Sequence, residues 1–311
     1  MISYAQNRED VVLWRALRNV AVGRYVEVGA NHPSHDSVSR SFYDSGWNGI
    51  TVEPVPHFAD LQRAERPRDT LVEAAVSASD LDEITLHVIP DSGLSTTVDA
   101  VSDRHQKAGL DHVDLVVPTI RLDTLLADHA WHGHDIHFLL IDVEGAEQDV
   151  LESIDLSVWR PWILVVESTA PTSTEPTHQD WEHIVLEQHY EFCLFDGLSR
   201  YYVASEKADE LRHDLSYSAS VWDSYRTVDQ VEADREREEL LERVVHWRTV
   251  ALSRWADSIS LDIRQKSEIG RLKTQAKRLQ AELKGLRAST SWRVTAPLRR
   301  ATEATKKSDR T

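Results

Sequence analysis

The feature that most constrains the fold of this 311-residue chain is the segment Tyr25–Asn31, where a short apolar run enters a small-residue turn. The run is typical of a buried strand, and Gly29 in the turn lets the backbone approach a ligand closely. A second apolar run, Gly49–Val52, ends at Glu53. The spacing from Gly29 to Glu53 is close to the ~20 residues of a strand–helix–strand nucleotide-binding unit. The pair therefore predicts an α/β chain with a ligand crevice at the carboxyl edge of a parallel sheet.

The residues of this turn favour a cationic ligand over a dinucleotide. A dinucleotide site needs G-x-G-x-x-G to seat a pyrophosphate, whereas this turn has one glycine with Glu27 two positions before it. A carboxylate there repels a pyrophosphate but suits S-adenosylmethionine, which carries an ammonium group, a sulfonium and a ribose. Glu53 is placed to accept hydrogen bonds from both ribose hydroxyls. Two other interpretations stay open: a nicotinamide-dependent oxidoreductase, and a flavodoxin-like sheet whose acids are only solvated.

Two further apolar runs also end in acids. His137–Ile141 leads into Asp142, and Trp162–Val166 leads into Glu167. Because parallel strands place their carboxyl ends on one edge of a sheet, acids at these positions should converge on one cleft. The four acids that close the four apolar runs are Glu27, Glu53, Asp142 and Glu167. A shared site explains this pattern better than four independent coincidences.

An ordered series of motifs runs through about two-thirds of the chain, roughly residues 1–205. The motifs are Tyr4–Asp10, Tyr25–Pro33, Gly46–Pro54, Ala74–Val76, Pro118–Asp123, Ile141–Glu147 and Pro161–Glu167. In this order and spacing the sequence resembles the FkbM-type methyltransferases, a branch of the class I S-adenosylmethionine enzymes. The resemblance implies a Rossmann-like doubly wound sheet and O-methylation, often of sugar hydroxyls in antibiotics or surface glycans. One departure is Glu27, where many relatives have aspartate; the charge is kept.

The resemblance also implies a role for the residues along this edge. Those it assigns to the cofactor are Glu27, Gly29 and Asn31 for the methionine moiety, Glu53 for the ribose, Ala75 and Val76 for the adenine, and Asp142. Asp142 and Glu144 would face the methyl group and the acceptor. We therefore expect S-adenosylmethionine as the cofactor and a glycan or small-molecule hydroxyl as the acceptor.

Methyl transfer to an alkyl hydroxyl needs assistance, because such a hydroxyl is a poor acid. A general base contributes a typical ~10²–10⁴-fold, and the candidates for catalysis are Asp142, Glu144 and His32, which follows the cofactor turn. Alternatively, Asp142 and Glu167 could share a Mg²⁺ ion with the acceptor oxygen, since hard cations prefer oxygen ligands. In a third interpretation the acids only position the ligands.

The formal net charge of −17 conceals an uneven distribution. Residues 264–311 contain 14 Lys or Arg and four acids, a net +10, which leaves −27 for the rest of the chain. The acidic body argues against a nucleic-acid substrate, because phosphate contacts need a basic face. The basic end is typical of segments that meet an anionic membrane or an acidic partner. We find no signal-peptide pattern and expect a cytoplasmic protein, with a peripheral position at the inner face of the membrane as a further expectation.

The pattern of the sequence changes near residue 205. We predict a methyltransferase domain at 1–205, a linker at 206–228, a helical or coiled-coil segment at 229–288 and a basic amphipathic tail at 289–311. A heptad seam with alternating steps of three and four supports the coiled coil; its members are Ile269, Leu272, Ala276, Leu279, Leu283 and Leu286. Such a seam would bind a second copy of the chain or a glycan-assembly partner.

The segment Ser289–Arg299 resembles a short tail found after predicted coiled coils in bacterial enzymes of surface-polysaccharide assembly. In this region Trp292, Val294 and Leu298 lie among Arg293, Arg299 and Arg300, a pattern that suits an anionic bilayer or a partner surface. The tail thus adds polysaccharide biosynthesis to the functional hypothesis. The competing function is a non-catalytic coiled-coil scaffold with a degenerate methyltransferase domain.

Overall fold

The computed structural model describes residues 1–90, 92–129 and 131–299. The chain divides into two compact units, Met1–Glu232 and Ala233–Thr311. The first unit contains the sheets and every element of the candidate site, and the second consists of helix in its described part.

The described residues form the following strands and helices. The strands are β1 (Ile2–Ser3), β2 (Arg24–Val28), β3 (Asn48–Val52), β4 (Thr70–Val72), β5 (Ala75–Val76), β6 (Glu83–Val88), β7 (Val113–Ile120), β8 (Phe138–Ile141), β9 (Ile163–Glu167), β10 (Tyr190–Phe195), β11 (Ser199–Ala204) and β12 (Arg226–Thr227). The helices are α1 (Glu9–Ala16), α2 (Arg40–Asp44), α3 (Pro56–Glu65), α4 (Asp99–Lys107), α5 (Leu122–Asp128), α6 (Glu147–Glu152), α7 (Glu182–Glu187), α8 (Ala208–Leu215), α9 (Val228–Ala288) and α10 (Thr290–Val294).

The main sheet has seven strands in the order β10-β11-β9-β8-β2-β3-β4. The five strands from β9 to β4 are parallel, and β11 pairs antiparallel with both β9 and β10. The chain leaves β2 to form β3 on one side and later returns to form β8 on the other. This reversal is the topological switch point at which open α/β sheets bind their ligands. The predicted doubly wound α/β fold is confirmed.

Both faces of the sheet are covered, which explains why its strands read as continuous apolar runs. Along β9, the residues Ile163, Leu164, Val165 and Val166 all have zero exposure. Alternate residues enter two separate cores: Val26, Val28, Leu139, Ile141, Leu164 and Val166 pack on one face, and Tyr25, Phe138, Leu140, Ile163 and Val165 on the other. Burial on both faces fixes the strand ends, and therefore the acids that follow them.

A second, separate sheet has three strands in the order β5-β7-β6, and these strands follow β4 in the chain. Strand β5 is parallel to β7, and β6 is antiparallel to β7. Its apolar residues pack with the start of α3 in a small core that contains Val55, Phe58, Ala75, Leu86 and Val117. This sheet supplies one wall of the crevice described below.

The segment 206–228, which we expected to be a linker, is folded into the first unit. Helix α8 buries Leu211 and Leu215 in the same core as α1. Beyond it, Arg15 forms a buried ion pair with Asp223 at 3.0 Å, and β12 pairs in parallel with β1. The sequence of 206–228 is rich in charge. It is nevertheless attached to the sheet domain by its two buried leucines, by the Arg15 ion pair and by the pairing of β12 with β1.

Helix α9 is 61 residues long and has no buried residue. The helical extension is therefore confirmed, while its pairing as a coiled coil stays a prediction. Within the described ranges, no helix combines the length and apolar character needed to cross a membrane. Trp292, Val294 and Leu298 of the predicted tail are exposed, and the predicted contribution of Arg300 and the residues after it lies outside the described residues.

Candidate active site

A crevice with two compartments lies at the carboxyl edge of the main sheet. A narrow compartment adjoins a wider one. The predicted site residues divide between them: Gly29, Asn31, Asp142 and Glu144 line both, Glu53, Ala75 and Val76 line the narrow one, and Glu27 and His32 line the wide one. The structure thus brings nine of the ten predicted residues to one crevice, and the tenth, Glu167, lies beside Asp142 and Glu144.

The turn after β2 can be made only by glycine. Gly29 has a φ of +85°, and a Cβ added to it would lie 1.8 Å from the carbonyl oxygen of Asp142. Its N–H donates to the carbonyl of Val52 at the end of β3 (3.1 Å), and the N–H of Asp142 donates to Val28 (3.0 Å). Gly29 therefore allows the carboxyl ends of β2, β3 and β8 to lie close together.

Glu53 is held rigidly at the mouth of the narrow compartment. Its two carboxylate oxygens accept backbone N–H groups from Asn31 (2.7 Å) and Val55 (2.8 Å). Burial raises the pKa of Glu53 to about 7, and the two N–H donors oppose this shift. Because each carboxylate oxygen keeps a free lone pair, the fixed carboxylate can still accept hydroxyl donors. Ala75 and Val76 supply an apolar wall of the same compartment.

Glu27 is part of a buried charge network. Its Oε2 accepts a hydrogen bond from Ser39 and lies 3.6 Å from the guanidinium of Arg66. The Arg66 guanidinium also contacts Asp69 at 2.7 Å and donates to the hydroxyl of Tyr25 at 2.9 Å. The Arg66 side chain has no solvent exposure, so Arg66 is a buried charge partner of Glu27. Burial raises the pKa of Glu27, and Arg66 opposes that shift.

Three carboxylates meet where the compartments join. Asp142, Glu144 and Glu167 each offer an oxygen, and these oxygens lie within 4.8 Å of one another. Burial raises the pKa of all three, and Asp142 raises the pKa of the two glutamates further. Among the described residues, the Oε2 atoms of Glu144 and Glu167 have no hydrogen-bond partner. Burying several carboxylates together is costly unless their charge is offset, either by a cation or by protons such as one shared between Asp142 and Glu167.

His32 enters the wide compartment in a fixed orientation. Its Nδ1 atom accepts backbone N–H groups from Ser34 (3.2 Å) and His35 (3.1 Å). Burial lowers the pKa of His32, which favours a neutral ring with its proton on Nε2. In that tautomer His32 can donate a hydrogen bond to an acceptor oxygen, and it is not set up to remove a proton from it.

Residues 92–97, which lie between β6 and α4, also line the crevice, and the sequence did not predict this. Ser92 and Gly93 line both compartments. A Cβ on Gly93 would lie 2.6 Å from the Asn31 side chain, and Thr96 Oγ1 donates to the carbonyl of Glu144 at 2.8 Å. The segment lacks strand or helix periodicity, so nothing in its pattern connected it with a site far away in the chain.

The doubly wound fold, the glycine turn and the acid-lined crevice define a class I methyltransferase site. The family described as Methyltransferase FkbM domain matches residues 27–192, more than half of the 311 residues. The chain belongs to this family of S-adenosylmethionine-dependent methyltransferases, which confirms the resemblance seen in the motifs. No curated protein sequence matches the chain.

Solved structures with some similarity are also methyltransferases. A TehB-like SAM-dependent methyltransferase from Corynebacterium glutamicum is 9% identical, with a TM-score of 0.35 and coverage of 63% of this chain and 87% of that one. An O-methyltransferase from Bacillus cereus in complex with SAH is 12% identical, with a TM-score of 0.35 and coverage of 63% and 79%. The magnesium protoporphyrin IX methyltransferase from Synechocystis with bound SAM is 10% identical, with a TM-score of 0.34 and coverage of 62% and 75%.

Proposed function

We propose that this chain is an O-methyltransferase that methylates a sugar hydroxyl in the biosynthesis of a bacterial surface polysaccharide or glycan. The observation that carries the proposal is the junction of the two compartments at Asp142 and Glu144. The narrow compartment suits a nucleoside, and the wide one leaves room for an acceptor. Carboxylates at the junction are placed where the methyl group and the attacking oxygen would meet.

In this proposal, the narrow compartment holds the nucleoside of S-adenosylmethionine, which supplies the methyl group on its sulfonium. Glu53 accepts the ribose hydroxyls, and Ala75 and Val76 contact the adenine. Gly29 and Asn31 form the floor beneath the methionine moiety, and Glu27 attracts its ammonium group. A ligand that carries positive charge lowers the pKa of the surrounding buried acids, so binding favours their ionised forms.

The lining of the wide compartment favours a neutral polyhydroxy acceptor. Its polar residues are Gln6, Glu27, Asn31, His32, His35, Asp36, Ser92, Asp142 and Glu144. The excess of carboxylates there disfavours an anionic acceptor, because burying like charges together is unfavourable. His32 would donate to an acceptor oxygen, and Glu144 or Asp142 would take the hydroxyl proton as the oxygen attacks in line with the sulfur.

We also propose that Asp142, Glu144 and Glu167 bind a divalent cation such as Mg²⁺. Glu167 is only 7% exposed, yet its Oε2 has no hydrogen-bond partner among the described residues. A carboxylate oxygen buried without a partner beside two other acids is what a hard cation would satisfy. A cation bound there would favour the deprotonated form of a nearby acceptor hydroxyl, and the three carboxylates would then hold the cation in place of taking the proton.

Replacing Glu167 with glutamine is expected to weaken cation binding by about 10-fold to 100-fold. Losses of this size occur even when the residue that is lost only orients a metal ligand. Paramagnetic resonance with Mn²⁺, in the presence of S-adenosylhomocysteine, measures this binding without turnover. The matched control is Glu152→Gln, an exposed glutamate on α6, which should bind as the wild type does. Failure of the wild-type protein to bind Mn²⁺ would remove the cation from the proposal.

The acceptor is tested in cells that lack this gene. The polysaccharide of the deletion strain should contain one sugar residue lighter by a single CH₂ unit in mass spectrometry, and the wild-type gene should restore it. A gene with Gly29→Ala should not restore it. An unchanged set of glycan masses would contradict the polysaccharide assignment, while leaving methyl transfer to a small molecule open to a direct assay.

A further inference from the structure

The C-terminal part of α9 carries an apolar seam that nothing in the described chain covers. Its large residues are about half exposed: Ile269 50%, Leu272 53%, Leu279 53%, Leu283 47% and Leu286 61%. Steps of three and four place them, with Ala276, on one side of the helix. A long helix gains most of its stability by packing an apolar face, so a seam of this length indicates a partner.

We propose that a second copy of this chain covers the seam, in a parallel, in-register two-stranded coiled coil over residues 268–287. With Ile269 at heptad position a, the d positions are occupied by leucine: Leu272, Leu279 and Leu286. Leucine at d is typical of two-stranded parallel coils. The alanine at one a position, Ala276, is small and leaves the two helices free to approach closely.

The charges beside the seam select the partner and its direction. The g positions hold Glu268, Gln275 and Glu282, and the e positions hold Lys273, Gln280 and Arg287. In a parallel pair, each g residue faces the e residue five positions later on the other chain. A second copy therefore gives Glu268 opposite Lys273, Gln275 opposite Gln280 and Glu282 opposite Arg287, so that each pair is either oppositely charged or neutral.

An antiparallel pair of the same chains has no such match. In that arrangement g faces g and e faces e, which sets Glu268 against Glu282 and Lys273 against Arg287. Within one helix, Glu268 contacts Arg271 at 2.8 Å and Glu282 contacts Arg278 at 3.0 Å. These are exposed pairs that contribute little to stability, so both glutamates are available to face a second chain.

The test is sedimentation equilibrium of the full-length protein, wild type and Leu279→Asp, over a range of micromolar concentrations. The wild type should be dimeric, and a carboxylate at this d position should raise the dissociation constant at least about tenfold. Thr274→Asp, at the outward f position, should leave it unchanged. Equal thermal unfolding of the first unit in all three proteins shows that only association was altered. A monomeric wild type, or a Leu279→Asp dimer as stable as the wild type, would overturn the proposal.

Direction is tested separately by crosslinking. In a Cys193→Ser background, Leu286→Cys should form an intermolecular disulfide in a redox buffer, because equal d positions face each other in a parallel in-register pair. Thr274→Cys should not form one. A dimer in which Leu286→Cys stays reduced would exclude the parallel arrangement. A complex with some other protein, and no self-association, would assign the seam to a different partner.

Discussion

Replacing Gly29 with alanine is expected to abolish measurable binding of S-adenosylmethionine while leaving the protein folded. The added Cβ would lie 1.8 Å from the carbonyl oxygen of Asp142, at a φ of +85°. A side chain at such a φ costs roughly 1–3 kcal/mol, and the clash forces β2 and β8 apart at the crevice. This backbone cost is present with and without ligand and so lowers stability, whereas the loss of affinity comes from the displaced turn. We expect that loss to be on the order of 100-fold, which corresponds to about 2.8 kcal/mol. Calorimetric titration measures it directly.

Gly46→Ala is the matched control for this change. Gly46 has a φ of +96°, but an added Cβ there has no atom within 4 Å. It therefore carries the backbone cost without the clash at the site, and its affinity for S-adenosylmethionine should equal that of the wild type. If Gly29→Ala binds the cofactor within about twofold of Gly46→Ala, the turn does not form the floor of the cofactor site.

The second large effect is on stability: Arg66→Met is expected to destabilise the first unit severely. The change leaves the buried carboxylates of Glu27 and Asp69 without the guanidinium that contacts both. Removing one member of a buried ion pair costs about 3–5 kcal/mol. For a unit of this size, that corresponds to a loss of roughly 6–20 °C in Tm, which calorimetry or circular dichroism can follow.

Arg63→Met controls for the loss of an arginine from the same region. Arg63 lies on α3 with its side chain 52% exposed, and it contacts Asp60 at 2.7 Å and also the carboxylate of Glu73. An exposed pair contributes about 0–1 kcal/mol, so its Tm should stay near the wild-type value. Similar Tm values for the Arg66→Met and Arg63→Met proteins would show that the charge network around Glu27 does not stabilise the first unit.

Much of the fold was predictable because the sheet is buried on both faces. The apolar runs before Glu53, Asp142 and Glu167 could only be buried strands, and parallel pairing then placed the acids at one edge. The glycine turn was equally clear, since the absence of further glycines and the presence of Glu27 pointed away from a pyrophosphate. These are local signals whose structural meaning does not depend on distant contacts.

What the sequence did not reveal depends on contacts between distant residues. Arg66 lies in a charged stretch whose composition predicts an exposed segment. Its side chain is nevertheless buried, in contact with the carboxylates of Glu27 and Asp69. Thr96 lies in a stretch without strand or helix periodicity. Its hydrogen bond to the carbonyl of Glu144 therefore has no signal in the sequence. The segment 206–228 likewise looked like a linker, although Leu211 and Leu215 are core residues.

The most direct test of the central claim is a calorimetric titration of the wild-type protein with S-adenosylmethionine and, separately, with NADH. The site described above predicts one S-adenosylmethionine bound per chain and no binding of NADH, because the turn after β2 has a carboxylate and a single glycine where a pyrophosphate would need more glycines. A non-catalytic scaffold need not bind either ligand. Absence of S-adenosylmethionine binding by the folded wild-type protein would contradict the account.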